Sequence, residues 1–463
     1  MTQTKTTTAT KQTEELKNLS LTLYAYQIRS SNIDPGENKI DKDAGALWEN
    51  LIKLGDNLKI SQFQGLRQQL ICYENGKYSP ENEEKSLPAN LSLLKGELRG
   101  ISVGDRSLKT ALEIYRLKDI YAADLTFYSQ EKLKIDQLTK LNPYGSLLPK
   151  NIQASLGQSL LFFAEPVGEV TNYKDLADDC VTELLKGRDK WEFVQQGELL
   201  GKAIFEYEIG DKQNRFKSQI LVWFRDIEAG KKAANINWTS LLCCRHKIAR
   251  VYQESRNSYR DGRKLYAELE AQIKEFPEKI GNKNERLNYL TEKLKELPGN
   301  YLEYVRCLRD LKDQLNTVVT NSKNYQTCIE MGGSPEFLER FLKKSELWQT
   351  QIETDLNYLS PGQELFEQMV STARGIAELD QAQSDRSLER TIQVLGAGLG
   401  SGAIVASAIA GHIETPITLK PTAPFHPAAT ALFWSLIAGL FFGGIVWLGT
   451  GGWNDLKKKK EKN

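Results

Sequence analysis

The spacing of apolar residues along this chain changes in stages. From Leu19 to Ile28 (LSLTLYAYQI) apolar and polar positions alternate, the period of a strand. From Ala44 to Leu58 the spacing is helical, with Leu47, Leu51 and Leu54 on one face. Residues 74–90 are polar and carry Gly, Pro and Asn, which predicts a loop or insertion. A Gly-rich turn around Gly100–Gly104 precedes two strand-like runs, Leu108–Leu117 and Tyr121–Tyr128. Tyr173 to Leu185 reads as a helix. Gly201–Ile209 and Ser218–Phe224 are β-prone and flank the turn Gly210–Asn214, which predicts an antiparallel hairpin. Strands and helices mix without βαβ regularity, so residues 18–230 are expected to form an α+β domain. Residues 1–17 are rich in Thr and Lys and are expected to be disordered.

Beyond Trp238 the strand signal stops, and residues 235–390 read as an all-α, coiled-coil-like section. Leu287, Leu290, Leu294 and Leu297 form a stripe ending at Pro298, and Val305, Leu308, Leu311, Leu315 and Val318 form the next. Ser334-Pro335 has the form of a helix start, with Phe337, Leu338, Phe341 and Leu342 in phase behind it. Ser360-Pro361-Gly362-Gln363 reads as a capping box opening a last helix. Gly375 is the only glycine between Gln363 and Leu395. A helix continuous from that capping box at Ser360-Pro361 to Gly411 would span about 75 Å at 1.5 Å per residue.

The pattern then changes completely. Thr391–Gly411 and Ala428–Trp453 are apolar and without charge, and each supplies the roughly 20 residues a membrane-crossing helix needs. Neither has the polar face of a core helix. Two C-terminal transmembrane helices are therefore expected, at 391–411 and 428–450, joined by a short external loop at 412–427 and followed by a basic tail at 451–463. Arg386 and Arg390 precede the first stretch, and Lys457, Lys458, Lys459, Lys460 and Lys462 follow the second. The positive-inside rule places both termini in the cytoplasm and suits a bacterial plasma (inner) membrane. The tail lysines are expected to anchor on anionic lipid. Residues 1–17 have no apolar signal-peptide core, so the first span would serve as the targeting signal.

Charge supports this division. The 463 residues carry 61 Lys+Arg against 60 Asp+Glu; residues 1–390 hold 55 and 57 of these. No clustered basic face points to nucleic acid. Six scattered cysteines in a cytoplasmic part should be reduced thiols. Cys243, Cys244 and His246 are too few to ligate zinc without distant partners, and a buried helix face accounts for them. No cofactor is expected: Gly398, Gly400, Gly402 and Ala403 mimic a dinucleotide fingerprint but lie inside an apolar stretch.

Within the stretches, small residues form rows. Gly396 and Gly400 are one turn apart, as are Gly398 and Gly402, and Gly439 and Gly443. Such rows admit close helix packing in lipid, and their spread around the first span predicts a homo-oligomer. Ser401 and Ser407 are the candidate pore-lining residues; no acid, base or histidine lies within either span.

This layout resembles the CorA-like family of divalent-cation channels. The resemblance covers roughly residues 240–463: a helical section, a long helix entering the first of two C-terminal spans, a short loop and a basic end. It implies a pentamer with the first span lining a pore. The family's Gly-Met-Asn signature is absent; Ala410-Gly411-His412-Ile413-Glu414 stands in its place, so no family site residue carries over. Three readings compete: an oligomeric pore gated by its cytoplasmic domain, a membrane-tethered sensor or scaffold binding a cytoplasmic protein or ligand partner through its helices, and a tethered enzyme. The enzyme reading is set aside, because Asp178, Asp179 and Glu206 are explained as a solvated helix face and a hairpin edge, and no nucleophile–base pair is recognisable.

Overall fold

The computed structural model describes residues 15–30, 40–84, 90–103, 108–210, 218–281, 283–333 and 335–381. In chain order these form β1 (Glu15–Ile28), α1 (Ala46–Leu58), α2 (Ser61–Gln64), α3 (Leu66–Gln69), β2 (Tyr73–Glu74), β3 (Lys77–Tyr78), α4 (Glu81–Glu84), β4 (Asn90–Ser92), β5 (Leu98–Ser102), β6 (Leu108–Leu117), β7 (Ile120–Ser129) and β8 (Leu133–Lys134). There follow α5 (Pro149–Ile152), β9 (Gly157–Val167), α6 (Tyr173–Leu185), β10 (Trp191–Leu199), β11 (Lys202–Ile209), β12 (Ser218–Phe224), α7 (Ile227–Ala233), α8 (Trp238–Gly281), α9 (Lys283–Met331) and α10 (Glu336–Gln381). An N-terminal α+β domain thus precedes a long helical section.

Ten strands make one sheet in the order β10-β11-β12-β9-β1-β7-β6-β4, with β5 on β6 and β8 on β1. Its pairings are antiparallel except β12 with β9. The expected hairpin of β11 and β12 is present, from Ile204 opposite Trp223 to Ile209 opposite Ser218. The first strand made, β1, lies at the centre between β7 and β9. Its register against β9 shifts between Lys17 and Ser20, where Asn18 adopts φ 53°. Asn tolerates that left-handed geometry better than most residues, and its side-chain amide donates to Glu165 at 2.7 Å.

Alternation in β1 is not a buried face against a wet one. Leu21, Leu23 and Ala25 are fully buried in the main core, with Leu160, Phe162, Leu125, Phe127, Leu47, Trp48 and Leu51. On the other face Thr22, Tyr24 and Tyr26 are buried as well. The sheet therefore has an aliphatic face and a polar–aromatic face, both covered along its middle.

Residues 74–84 of the polar 74–90 segment are more ordered than its composition predicts. Tyr73–Glu74 pairs with Lys77–Tyr78, and α4 follows. The reason is Glu83, fully buried, which accepts from Arg29 Nε at 2.9 Å and from the Tyr121 hydroxyl at 2.5 Å. Tyr78 and Tyr121 share a hydrogen bond at 2.8 Å. A carboxylate buried this way is retained only with such partners.

The chain divides into two compact units, one of residues 1–254 with 314–351 and the other of 255–313 with 352–463. Each long helix contributes to both. In the second unit the structure corrects two expected helix boundaries: Pro298 lies inside α9 and Pro361 inside α10. Ser360 does not cap a helix start; its hydroxyl donates back to the Leu356 carbonyl at 2.7 Å. Packing overrides the local stop signal. The buried Tyr304 hydroxyl of α9 donates to the Leu359 carbonyl, and a Cβ at Gly362 would collide with Tyr304 and Tyr266. We expect Gly362→Ala to destabilise this unit by about 1–3 kcal/mol, the range for overpacking. Lost hydrogen-exchange protection in the separate peptides covering Leu359 and Tyr304, against the parent, measures it; unchanged protection in both refutes it.

Candidate functional site

The polar face of the sheet carries the densest chemistry in the N-terminal unit. Helix α8 is seated on it by side chains at successive turns. Tyr26 donates to the Thr239 carbonyl at 2.8 Å, Lys247 pairs with Asp119 at 2.6 Å, and Arg250 Nη1 donates to the Ser155 carbonyl at 2.8 Å. Arg245 pairs with the buried Glu206, which also accepts from Gln195 at 2.7 Å. Glu206 is thus a structural counter-ion rather than a free acid. Asp178 is similarly tied, to Lys174 at 2.6 Å and to the Tyr207 hydroxyl at 2.7 Å.

At the centre of this seat lies a serine–histidine contact that sequence reasoning did not find. Ser159 Oγ is 2.8 Å from His246 Nε2 and accepts from Gln219 Nε2 at 2.9 Å. The residues lie 87 positions apart, so no local spacing announces them. Ser159 is fully buried and His246 nearly so, which gives a substrate no approach. Cys243 and Cys244 are buried beside them. Burial pushes both thiols up, Cys244 to about 12, so neither is a ready thiolate ligand. Among the described residues no group of three His, Cys, Asp or Glu side chains is placed to hold a metal ion.

The second cluster lies on β1, β6 and β7. Tyr24, Asp124 and Glu113 face one another across three strands: Tyr24 is registered with Asp124, and Asp124 with Glu113. Like charges directly opposite in a ladder destabilise it. Glu113 is compensated by Arg99 and by the Tyr115 hydroxyl. Among the described residues Asp124 accepts only a long bond from Thr126, at 3.3 Å, and Thr126 in turn bonds Thr22 at 2.9 Å. Burial first, and the Glu113 carboxylate second, push the Asp124 carboxyl up to about 7. The row therefore exchanges a proton near neutral pH.

One open cleft lies elsewhere in the same unit, at the β10–β11 turn. It encloses about 430 Å³ and is lined by Gly197, Glu198, Leu200, Gly201, Phe337 and Arg340, among others. Its mixed charge, with Glu336 paired to Arg340 at 3.1 Å, points to no particular ligand.

The residues predicted from sequence lie elsewhere. Gly396, Gly398, Gly400, Gly402, Gly439 and Gly443, the candidate pore-lining Ser401 and Ser407, and Lys457, Lys458, Lys459 and Lys460 all fall outside the described residues, as do both expected spans. Among the described residues no helix is long and apolar enough to cross a membrane. No protein-family model, curated protein or solved structure matches this chain.

The Asp124 row has a stability signature. A raised native carboxyl pKa means that ionisation costs the fold free energy. This contribution is present in full below the unfolded value near 4 and is lost as pH rises through about 7. Asp124→Asn removes the ionisation, so its stability relative to the parent should grow by about 2 kcal/mol between pH 5 and pH 8. Urea denaturation at the two pH values tests this, and a difference that does not change with pH refutes it.

Proposed function

We propose that this chain is an oligomeric two-span membrane protein whose N-terminal α+β domain and helical section gate a CorA-like pore. One observation carries the proposal: two uncharged apolar stretches, 391–411 and 428–453, stand in an otherwise strongly polar chain. The architecture ahead of them supports it. Helix α10 runs from Glu336 to Gln381, ten residues before Thr391. A helix is stiff over such lengths, so an element packed in the helical section can act directly on whatever follows it in sequence. The glycine rows of 391–411 supply the close packing a ring of spans needs, and the lysines after Trp453 orient them. On this reading the protein is multi-pass in a plasma membrane, with both termini on the cytoplasmic side.

A second reading, a tethered scaffold, draws on a separate observation. The long helices expose large apolar side chains: Leu347 is 71% exposed, Leu302 56% and Tyr358 53%. Exposed aromatic and aliphatic anchors are what helix-binding partners use.

The mass of the full-length protein in detergent, measured by light scattering with the detergent subtracted, separates the two. The pore reading expects a defined ring near five copies, and ion flux in liposomes that changes when Ser401 or Ser407 is substituted. A monomer or dimer has too few helices to enclose a path and would leave the scaffold.

A further inference from the structure

The ladder of β12 with β9 continues one residue past the end of the strand, where Arg225 N donates to the Ala164 carbonyl at 2.9 Å. Trp223 and Arg225 therefore leave the backbone on the same side of the sheet. Phe163, registered with Trp223, lies between them: its ring centroid is 5.3 Å from that of Trp223 and 4.3 Å from Arg225 Cζ. The guanidinium carbon is also 5.6 Å from the Trp223 ring centroid.

Two donors in this nest have no acceptor among the described residues. Trp223 is fully buried and its indole Nε1 has no hydrogen-bond partner; the same holds for the buried Nε of Arg225. The guanidinium makes one marginal contact, from Nη1 to the Asp226 carbonyl at 3.5 Å. The nearest carboxylate, Asp226, is committed elsewhere: it accepts from Ala229 N at 2.8 Å and pairs with Lys202 at 2.7 Å. The seventh helix closes over the group because residue 230 is glycine; a Cβ there would collide with the guanidinium. Buried donors are nearly always paired, so two on neighbouring side chains, one of them a cation, call for an acceptor.

The unpaired groups have a shape. With Nη1 turned to the backbone, the edge formed by Nε and Nη2 remains, the fork that matches two oxygens of one oxyanion. The neighbouring rings of Phe163 and Trp223 lower the local dielectric, which strengthens a bond made there. Burial lowers the Arg225 pKa from its ordinary value by more than the neighbouring Asp226 carboxylate raises it.

We propose that Arg225 and Trp223 form a binding site for a small oxyanion, a carboxylate or phosphate group held by the Nε–Nη2 edge with Trp223 Nε1–H as third donor. Gly230 admits the guanidinium, and Phe163 supports it from the sheet. The site concerns the N-terminal domain alone and stands or falls independently of the membrane reading.

Calorimetric titration of the purified full-length chain with inorganic phosphate and with acetate, at ionic strength held constant with chloride, tests it. Saturable binding of either anion is expected, and the tighter one identifies the group as phosphoryl or carboxyl. Trp223→Phe keeps the ring and loses the N–H; Arg225→Lys keeps the charge and loses the fork. Each should weaken binding at least tenfold, about 1.4 kcal/mol. Lys202→Gln, beside the site but committed to Asp226, should change it less than threefold. Binding that is equal in the parent, Trp223→Phe and Arg225→Lys overturns the proposal, as does no saturable binding of either anion up to about 10 mM. Should Arg225→Lys not fold, Trp223→Phe decides.

Discussion

Everything in the N-terminal unit depends on β1 being buried on both faces by unlike surroundings. Its Leu21, Leu23 and Ala25 enter an aliphatic core, while Thr22, Tyr24 and Tyr26 meet a polar layer under α8. A one-residue slip would exchange the two sets, putting hydroxyls against leucine and leucine against charged groups. The register is therefore specified twice over. The Asn18 bulge absorbs the mismatch with β9 at the end of the strand, before the two-sided part begins.

The polar layer is satisfied unevenly, and the unevenness is informative. Arg29 with Glu83, Arg245 with Glu206, and Lys247 with Asp119 are close opposite-charge pairs, and they hold segments distant in sequence. Their removal would leave a buried charge uncompensated, which costs far more than an exposed pair is worth. Asp124 and Arg225 differ: each is substantially buried, and neither has a full partner in the unit. One responds by shifting its proton affinity toward neutrality, the other by stacking on aromatic rings. These are the groups through which the unit would respond to its surroundings, to protons in one case and, on the proposal made for Arg225, to an anion in the other.

Much of the fold was legible locally, because β1, β6, β7, β11, β12, α1 and α6 carry their own periodicity. Helix α6 begins and ends at Tyr173 and Leu185, where the side chain of Asn172 caps it. Strand β9 escaped notice because both its faces are buried, and its apolar run QSLLFFA has no alternation to read. Strand β10 escaped for the opposite reason: its alternation is of Glu and Gln along a sheet edge. The stop at Pro361 failed where Tyr304 of a neighbouring helix, 55 residues away in sequence, holds the turn by donating to the Leu359 carbonyl. The polar sites were largely hidden. An acid in the middle of a β-prone run, Asp124 in IYAADLTFYS and Glu113 in LKTALEIYRL, is the one cue on offer. The Ser159–His246 contact and the Trp223–Arg225 nest offer none, since burial and missing partners are properties of the assembled sheet.

The central position of β1 also sets a timetable for synthesis. This strand leaves the ribosome first, yet its neighbours are residues 120–129 and 157–167, and the helical segment 314–351 belongs to the same compact unit. The unit closes only once residue 351 has emerged, forty residues ahead of the apolar stretch that starts at Thr391. At about 5–20 residues per second, that interval lasts roughly 2–8 s. Until residues 157–167 have emerged the chain carries an unpaired central strand with bare edges, the species most exposed to mispairing. A nascent chain of this protein therefore has greatest need of a chaperone before residue 167 has emerged, long before its most hydrophobic segment is made.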